Sequence, residues 1–131
     1  MKTLIRRLPA FIAALIFIQT LYFKFNAAPE SVYIFTTLGM EPVGRIVIGV
    51  VELFSALLLL YPPLMMYGAI LGLGTISGAI FFHLTTLGIE VQNDGGYLFA
   101  LALAVFICCV VVLFIRKNEV KALISRILGR K

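Results

Sequence analysis

Four long apolar runs constrain the fold of this chain more than any other feature of its sequence. They cover residues 8–25, 43–60, 64–84 and 97–115. Each run has the length that a membrane-crossing helix needs, about 17–25 residues. We therefore predict an all-α membrane protein, a bundle of four transmembrane helices.

Composition supports this prediction and limits the number of domains. The 131 residues are 62% hydrophobic and only 13% charged. A soluble domain of this size would not bury so much apolar surface. We expect one transmembrane domain over residues 1–115 and a tail over residues 116–131, with no second folded unit.

The basic residues predict the orientation of the bundle. If both termini are cytoplasmic, nine of the 11 basic residues lie on the inner side. Only Lys24 and Arg45 then lie on the outer side. Cytoplasmic segments of membrane proteins carry such an excess, so we expect both termini inside.

A cleaved signal peptide is the alternative interpretation of the first run. A basic start precedes an apolar stretch, and Ala27 and Ala28 follow it. The run is long, however, and bulky side chains at residues 22–25 crowd the region where cleavage would occur. Cleavage would also leave an odd number of spans, so we expect the run to be retained.

The first outer link predicts a short half-helix. Pro29 is suited to begin a helix and Gly39 to end it. Ile34, Phe35 and Leu38 would then share one side. We expect this half-helix to lie on the outer surface as a lid over the bundle.

The tail predicts a C-terminal amphipathic helix in the interfacial layer of the membrane. Its apolar residues follow helical spacing: Val120, Leu123, Ile124, Ile127 and Leu128. Its basic residues are Arg116, Lys117, Lys121, Arg126, Arg130 and Lys131. Beside a membrane span, such a tail indicates binding to anionic membrane lipids rather than to nucleic acid. Docking to a cytoplasmic protein is the alternative.

Small residues in the third run predict close helix packing. Two patterns with the spacing of helix contacts in lipid are present: Gly68-x-x-x-Gly72 and Gly74-x-x-x-Gly78. The fourth run offers a matching stripe: Ala100, Ala104 and Cys108. Packing within the bundle is the simpler interpretation, and self-association is the alternative.

Glu52 lies inside the second run, where a carboxylate costs about 2.5–3.5 kcal/mol on insertion scales. Arg45 lies two helical turns earlier on nearly the same face. Lys24 and His83 end the first and third runs, and Asp94 lies in the last link. We expect these five residues to form an outward-facing polar pocket that binds a ligand. Each also has a structural interpretation, such as capping of the fourth helix by Asp94.

The residue types in this pocket narrow its chemistry without assigning catalytic residues. A single histidine excludes haem with two histidine ligands, and no metal-binding spacing or phosphate loop is present. A carboxylate, a histidine and an arginine around an apolar slot suit a quinone head group. A lipid head group or an anionic metabolite fits these groups equally well, so the cofactor stays unknown, with a quinone as one candidate.

Four motifs, in this order, resemble the DoxX-like family. They are Phe23-Lys24-Phe25, Gly49-Val50-Val51-Glu52-Leu53, Gly78-Ala79-Ile80-Phe81-Phe82-His83 and Asn93-Asp94-Gly95-Gly96. The resemblance covers about residues 8–115. It implies a four-helix protein of the bacterial inner membrane, and Lys24, Glu52 and His83 match family positions.

The resemblance also implies two functional hypotheses. The family is named after a subunit of a membrane thiosulfate:quinone oxidoreductase, so the first is an accessory subunit that binds a quinone or similar amphiphile for a redox partner. The second is a non-catalytic assembly factor or structural subunit of a larger membrane complex. Both imply a protein partner or a homo-oligomer, and neither makes the chain a stand-alone enzyme. A small transporter is a third, less favoured interpretation.

Overall fold

The computed structural model describes residues 2–129, and the regular structure in these residues is helical. The helices are α1 (Lys2–Phe25), α2 (Pro29–Thr37), α3 (Val43–Leu60), α4 (Met65–Phe82), α5 (Tyr97–Ile115) and α6 (Lys117–Ile127). A 3₁₀ turn, Pro62–Leu64, precedes α4, and a π-helical turn, His83–Leu87, extends it.

Four of these helices are long and apolar enough to cross a membrane, which indicates a multi-pass membrane protein. They are Lys2–Phe25, Val43–Leu60, Pro62–Leu87 with its two turns, and Tyr97–Ile115. The prediction of an all-helical chain with four apolar spans is confirmed at this level. The tail residues Arg130 and Lys131, predicted to contact lipid, lie outside the described residues.

The four long helices form a closed ring in which each packs against the next and α5 packs against α1. Arg6 near the start of α1 donates a hydrogen bond to the carbonyl of Ile115 at the end of α5, at 3.2 Å. Gln19, farther along α1, donates to the hydroxyl of Tyr97 at the start of α5, also at 3.2 Å. The helices therefore alternate in direction. The bundle has an α2 end, where α1 and α4 finish, and an α6 end, where α5 finishes.

Local sequence explains the position of α2 between α1 and α3. Pro29 occupies its first turn, where backbone N–H groups have no acceptor within the helix. The N–H that proline lacks therefore costs no hydrogen bond here. Gly39 follows with a φ of +72°, a backbone conformation that favours glycine. The helix thus lies where the proline and glycine predicted it.

Two glycines of α4 allow close packing toward the α6 end. A Cβ on Gly68 would lie 2.6 Å from the backbone nitrogen of Leu59, so α3 approaches α4 closely here. A Cβ on Gly72 would lie 3.0 Å from Phe17 Cε2 and 3.2 Å from Cys109 Sγ. Gly68 and Gly72 therefore pack α4 against its neighbours.

The other predicted packing residues lie differently. A Cβ on Gly74 or Gly78 would meet nothing within 4 Å, so these glycines do not bring described helices together. In α5 the predicted stripe is only partly buried: Ala100 is exposed, Ala104 and Cys108 are half-buried, and Cys108 packs against the core. The buried residues of α5 are Ala102, Val105, Cys109 and Val112. This helix is apolar on all sides, so periodicity does not identify its buried face.

Helix α6 has no buried residue. Ile124, Ile127 and Leu128, which follows the helix, are exposed, whereas Val120 and Leu123 are half-buried. Lys117, at its start, lies over the ring of Phe114, 5.2 Å from the ring centre. The C-terminal part of the apolar side of α6 is therefore exposed in the described residues.

Candidate functional site

A cavity of about 400 Å³ lies in the half of the bundle nearest the α2 end. All four long helices and α2 contribute to its walls, which are mainly apolar. Ile34 and Phe35 of α2, and Leu38 directly after it, all line the cavity. These are the three residues that the sequence placed on one side of the half-helix, and α2 therefore covers the cavity.

One polar feature of the wall is a largely buried ion pair between α1 and α3. Lys24 Nζ lies 3.0 Å from Glu52 Oε2, and their side chains are 14% and 7% exposed. Thr20 Oγ1 contacts the same carboxylate oxygen at 3.5 Å and donates to the carbonyl of Phe17 at 2.9 Å. The partner of Glu52 is therefore Lys24 rather than Arg45.

This arrangement stabilises the carboxylate of Glu52 but leaves one of its two oxygens free, within the described part of the chain, to accept further hydrogen bonds. An opposite charge at hydrogen-bond distance offsets part of the cost of removing both ions from water. Both contacts of Glu52 are made by Oε2, and Oε1 accepts no hydrogen bond from residues 2–129. Because Lys24 and Glu52 both line the cavity, a ligand there can bond with them.

His83 is another buried polar residue of the cavity wall. It begins the π-helical turn after α4, and its Nδ1 lies 3.0 Å from the carbonyl oxygen of Gly88. A carbonyl oxygen only accepts, so Nδ1 carries a proton, and Nε2 is then an acceptor whenever the ring is neutral. The ring packs 5.5 Å from that of Phe99 on α5. His83 is thereby held in one tautomer and one orientation.

Asp94 borders the cavity but is engaged by the backbone. Its Oδ1 accepts from the N–H groups of Val91, at 3.0 Å, and Gly96, at 2.8 Å. Its Oδ2 accepts from the N–H of Leu98, at 3.1 Å, in the first turn of α5. Burial alone would raise the pKa of Asp94, but hydrogen bonds from Leu98, Val91, Gly96 and Tyr97 together hold this pKa below its usual range. Asp94 therefore secures the start of α5, as its structural interpretation predicts.

Arg45 does not line the cavity. Its Nε donates to both carboxylate oxygens of Glu41, at 2.9 and 3.0 Å, and its Nη1 donates to the carbonyl of Lys24. Lys24 precedes α2 in the chain and Glu41 follows it. Arg45 thus connects the two ends of the segment that covers the cavity, and it also holds the backbone of Lys24 in place.

Thr20 and Tyr97 line the cavity although the sequence did not single them out. Thr20 lies one helical turn before Lys24 on the same face, and this spacing is a signal that would have found it. Tyr97 lacks such a signal, because its contact with Gln19 joins helices that are far apart in sequence.

The site can hold the polar group of an otherwise apolar ligand. It combines an ammonium donor at Lys24, a carboxylate acceptor at Glu52 and an imidazole acceptor at His83, all lining one cavity. Among residues 2–129, no group of three or more His, Cys, Asp or Glu side chains is placed to hold a metal ion. The chemistry available is hydrogen bonding and proton exchange in an apolar setting.

Comparison of the chain with protein-family models, with curated proteins and with solved structures found no match.

Proposed function

We propose that this chain is a DoxX-like subunit of the bacterial inner membrane that binds a quinone or similar amphiphile for a redox partner. One observation carries the proposal. A cavity of about 400 Å³ with mainly apolar walls contains the buried Lys24–Glu52 pair and His83.

The size and lining of the cavity support an amphiphilic ligand. Small-molecule sites commonly measure about 300–1,000 Å³ and combine apolar walls with a few convergent polar groups. Aliphatic and aromatic side chains such as Ile48, Phe82 and Leu101 would contact the apolar part of the ligand. A small hydrophilic metabolite would leave these walls without a partner.

The polar groups suit the head group of a quinone. The Lys24 ammonium can donate to a quinone carbonyl oxygen and stabilise the negative charge that reduction places on it. Glu52 and His83 can exchange protons with the reduced form. In this proposal the redox partner supplies the electrons and this chain supplies the binding site.

The charge distribution supports the proposed orientation. The described basic residues at the α6 end are Lys2, Arg6, Arg7, Arg116, Lys117, Lys121 and Arg126. This excess favours a cytoplasmic α6 end with α6 in the headgroup layer. The cavity and α2 then face outward.

Mass spectrometry of the full chain, purified from its native membranes in mild detergent, tests the proposal. We expect a quinone or another amphiphile at about one molecule per chain, because a site of this size holds one such ligand. Glu52→Gln removes the negative charge beside Lys24 and should abolish co-purification. Glu90→Gln is the matched control, because Glu90 is exposed and does not line the cavity.

Two results would contradict the proposal. An amphiphile retained equally by Glu52→Gln would place binding elsewhere on the molecule. A stoichiometric protein partner without any amphiphile would favour the assembly-factor hypothesis, with the Lys24–Glu52 pair serving only structure.

A further inference from the structure

A second cavity, at the α6 end, is strongly basic and plays no part in the proposed function. It measures about 360 Å³. We call it the arginine cavity, and its lining residues are Thr3, Arg6, Arg7, Ile115, Arg116, Asn118 and Glu119. It lies where the first turn of α1 meets the junction between α5 and α6.

The charges in the arginine cavity are only partly compensated. Arg116 pairs with Glu119 at 3.2 Å, and Arg6 donates to the carbonyl of Ile115. No described residue pairs with Arg7. Three guanidinium groups therefore face one carboxylate, which gives the cavity a net charge of +2. Guanidinium groups are well suited to bind phosphate oxygens in a fixed geometry.

An exposed apolar surface continues from this cavity toward the middle of the bundle. On α1, Phe11 and Leu15 follow Arg7 at intervals of four residues, and Phe11 is 60% exposed. On α5, Val111 and Ile107 precede Ile115 at the same interval, and Ile107 is also 60% exposed. Arg7 and Ile115, from which the two stripes are counted, both line the cavity, and α1 packs against α5. The stripes are exposed and would face lipid.

We propose that the arginine cavity binds the phosphate of an anionic phospholipid, whose acyl chains lie along the stripes of α1 and α5. The net positive charge favours an anionic headgroup over a zwitterionic one. The apolar stripes favour a lipid over free phosphate, because free phosphate would leave them without a partner. This site differs from the basic face of α6, since it is a single concave position rather than a charged surface.

Native mass spectrometry of the full chain in mild detergent tests the site. The probes are phosphatidylglycerol, cardiolipin and phosphatidylcholine, with inorganic phosphate as a competitor. We expect one anionic lipid per chain, bound in preference to phosphatidylcholine. Arg7→Gln should weaken binding about fivefold, since a basic residue near a lipid surface is worth about 1 kcal/mol. This substitution breaks no side-chain hydrogen bond or ion pair with the described residues, so we expect the variant to remain folded.

Lys121→Gln is the matched control, because it removes one positive charge from an exposed residue outside the arginine cavity. We expect it to change lipid binding by less than about twofold. If Arg7→Gln and Lys121→Gln weakened lipid binding equally, the binding would depend only on the general surface charge, and the proposal would be overturned. Equal binding of phosphatidylcholine, or displacement of the lipid by inorganic phosphate, would also overturn it.

Discussion

The two halves of this bundle differ in how closely their helices pack. Near the α6 end, small residues let the helices pack closely, as at Gly68 and Gly72, and the arginine cavity there is lined only by α1 and the region where α5 meets α6. Near the α2 end the helices separate around a cavity of about 400 Å³ and place a buried ion pair in its wall. Tight packing stabilises one half, whereas polar contacts and a covering helix organise the other. The contrast supports the proposal that the hollow half binds a ligand.

The same contrast appears in the ion pairs of the two ends. Glu52 of the Lys24–Glu52 pair has a side chain only 7% exposed. Glu119 of the Arg116–Glu119 pair is 45% exposed. Removal of one partner leaves an uncompensated charge in the first case and a hydrated charge in the second. Substitutions in the two halves should therefore differ in effect.

The largest expected effect comes from breaking the buried pair on one side only. Glu52→Leu leaves Lys24 in an apolar wall and should lower the free energy of unfolding by about 3–5 kcal/mol. The double variant Lys24→Met/Glu52→Leu should recover most of this loss, because it removes both charges. Thermal unfolding in detergent, followed by circular dichroism, measures both. A double variant no more stable than Glu52→Leu would show that the pair is required for the fold.

A smaller effect should distinguish the packed half from the hollow half at two glycines of one helix. Gly68→Ala places a Cβ 2.6 Å from the backbone of Leu59, and we expect a loss of about 1–3 kcal/mol. Gly78→Ala meets nothing within 4 Å, and better helix propensity should raise stability by up to about 1 kcal/mol. Thermal unfolding of the two variants side by side tests this. Equal losses at both positions would contradict the description of the α2 half as hollow.

A substitution of Asp94 tests how much the polar contacts stabilise the hollow half. Asp94→Ala removes the acceptor of three backbone hydrogen bonds and should cost about 0.5–2 kcal/mol at neutral pH. The folded protein lowers the pKa of Asp94, so ionised Asp94 stabilises the fold above its ordinary pKa of about 3.9. This stabilisation is lost as the pH falls through the lowered pKa.

The measurement is the stability difference between the native protein and Asp94→Ala as a function of pH. The difference should stay constant from about pH 7 to pH 5 and shrink as the solution becomes more acid. A difference that grows on acidification would mean that the protonated side chain is the stabilising form.

The smallest expected effect concerns the exposed pair at the α6 end. Glu119→Gln breaks the contact with Arg116, but water and salt already weaken it. We expect a change below about 1 kcal/mol in thermal unfolding. A loss as large as that of Glu52→Leu would remove the distinction between the two ends.

Much of the fold was predictable from the sequence because each helix is encoded locally. The runs at residues 43–60 and 97–115 coincide with α3 and α5. Pro29 and Gly39 predicted the limits of α2. The shared side of Ile34, Phe35 and Leu38 predicted the face that covers the cavity. The length and apolar composition of a run and the turn residues beside it are local features. They can therefore be recognised in a single sequence.

The contacts between helices were less predictable. Arg45 was expected near Glu52 because the two residues lie two turns apart on one helix. Such spacing identifies neighbours within a helix but not partners on another helix. The real partner, Lys24, comes from α1, and the register between α1 and α3 depends on packing across the whole bundle. A local partner for Arg45 was nevertheless present in the sequence, since Glu41 lies four residues earlier.

Binding of a short-chain quinone to the native protein and to Lys24→Met/Glu52→Leu tests the central claim most directly. Isothermal titration calorimetry in detergent provides the affinity, and thermal unfolding verifies that the double variant remains folded. We predict one quinone per chain for the native protein and a loss of at least about tenfold in affinity for the double variant, as expected for losing charged hydrogen bonds. A folded double variant that binds the quinone with native affinity would contradict the claim that the hollow half is a binding site built around this pair.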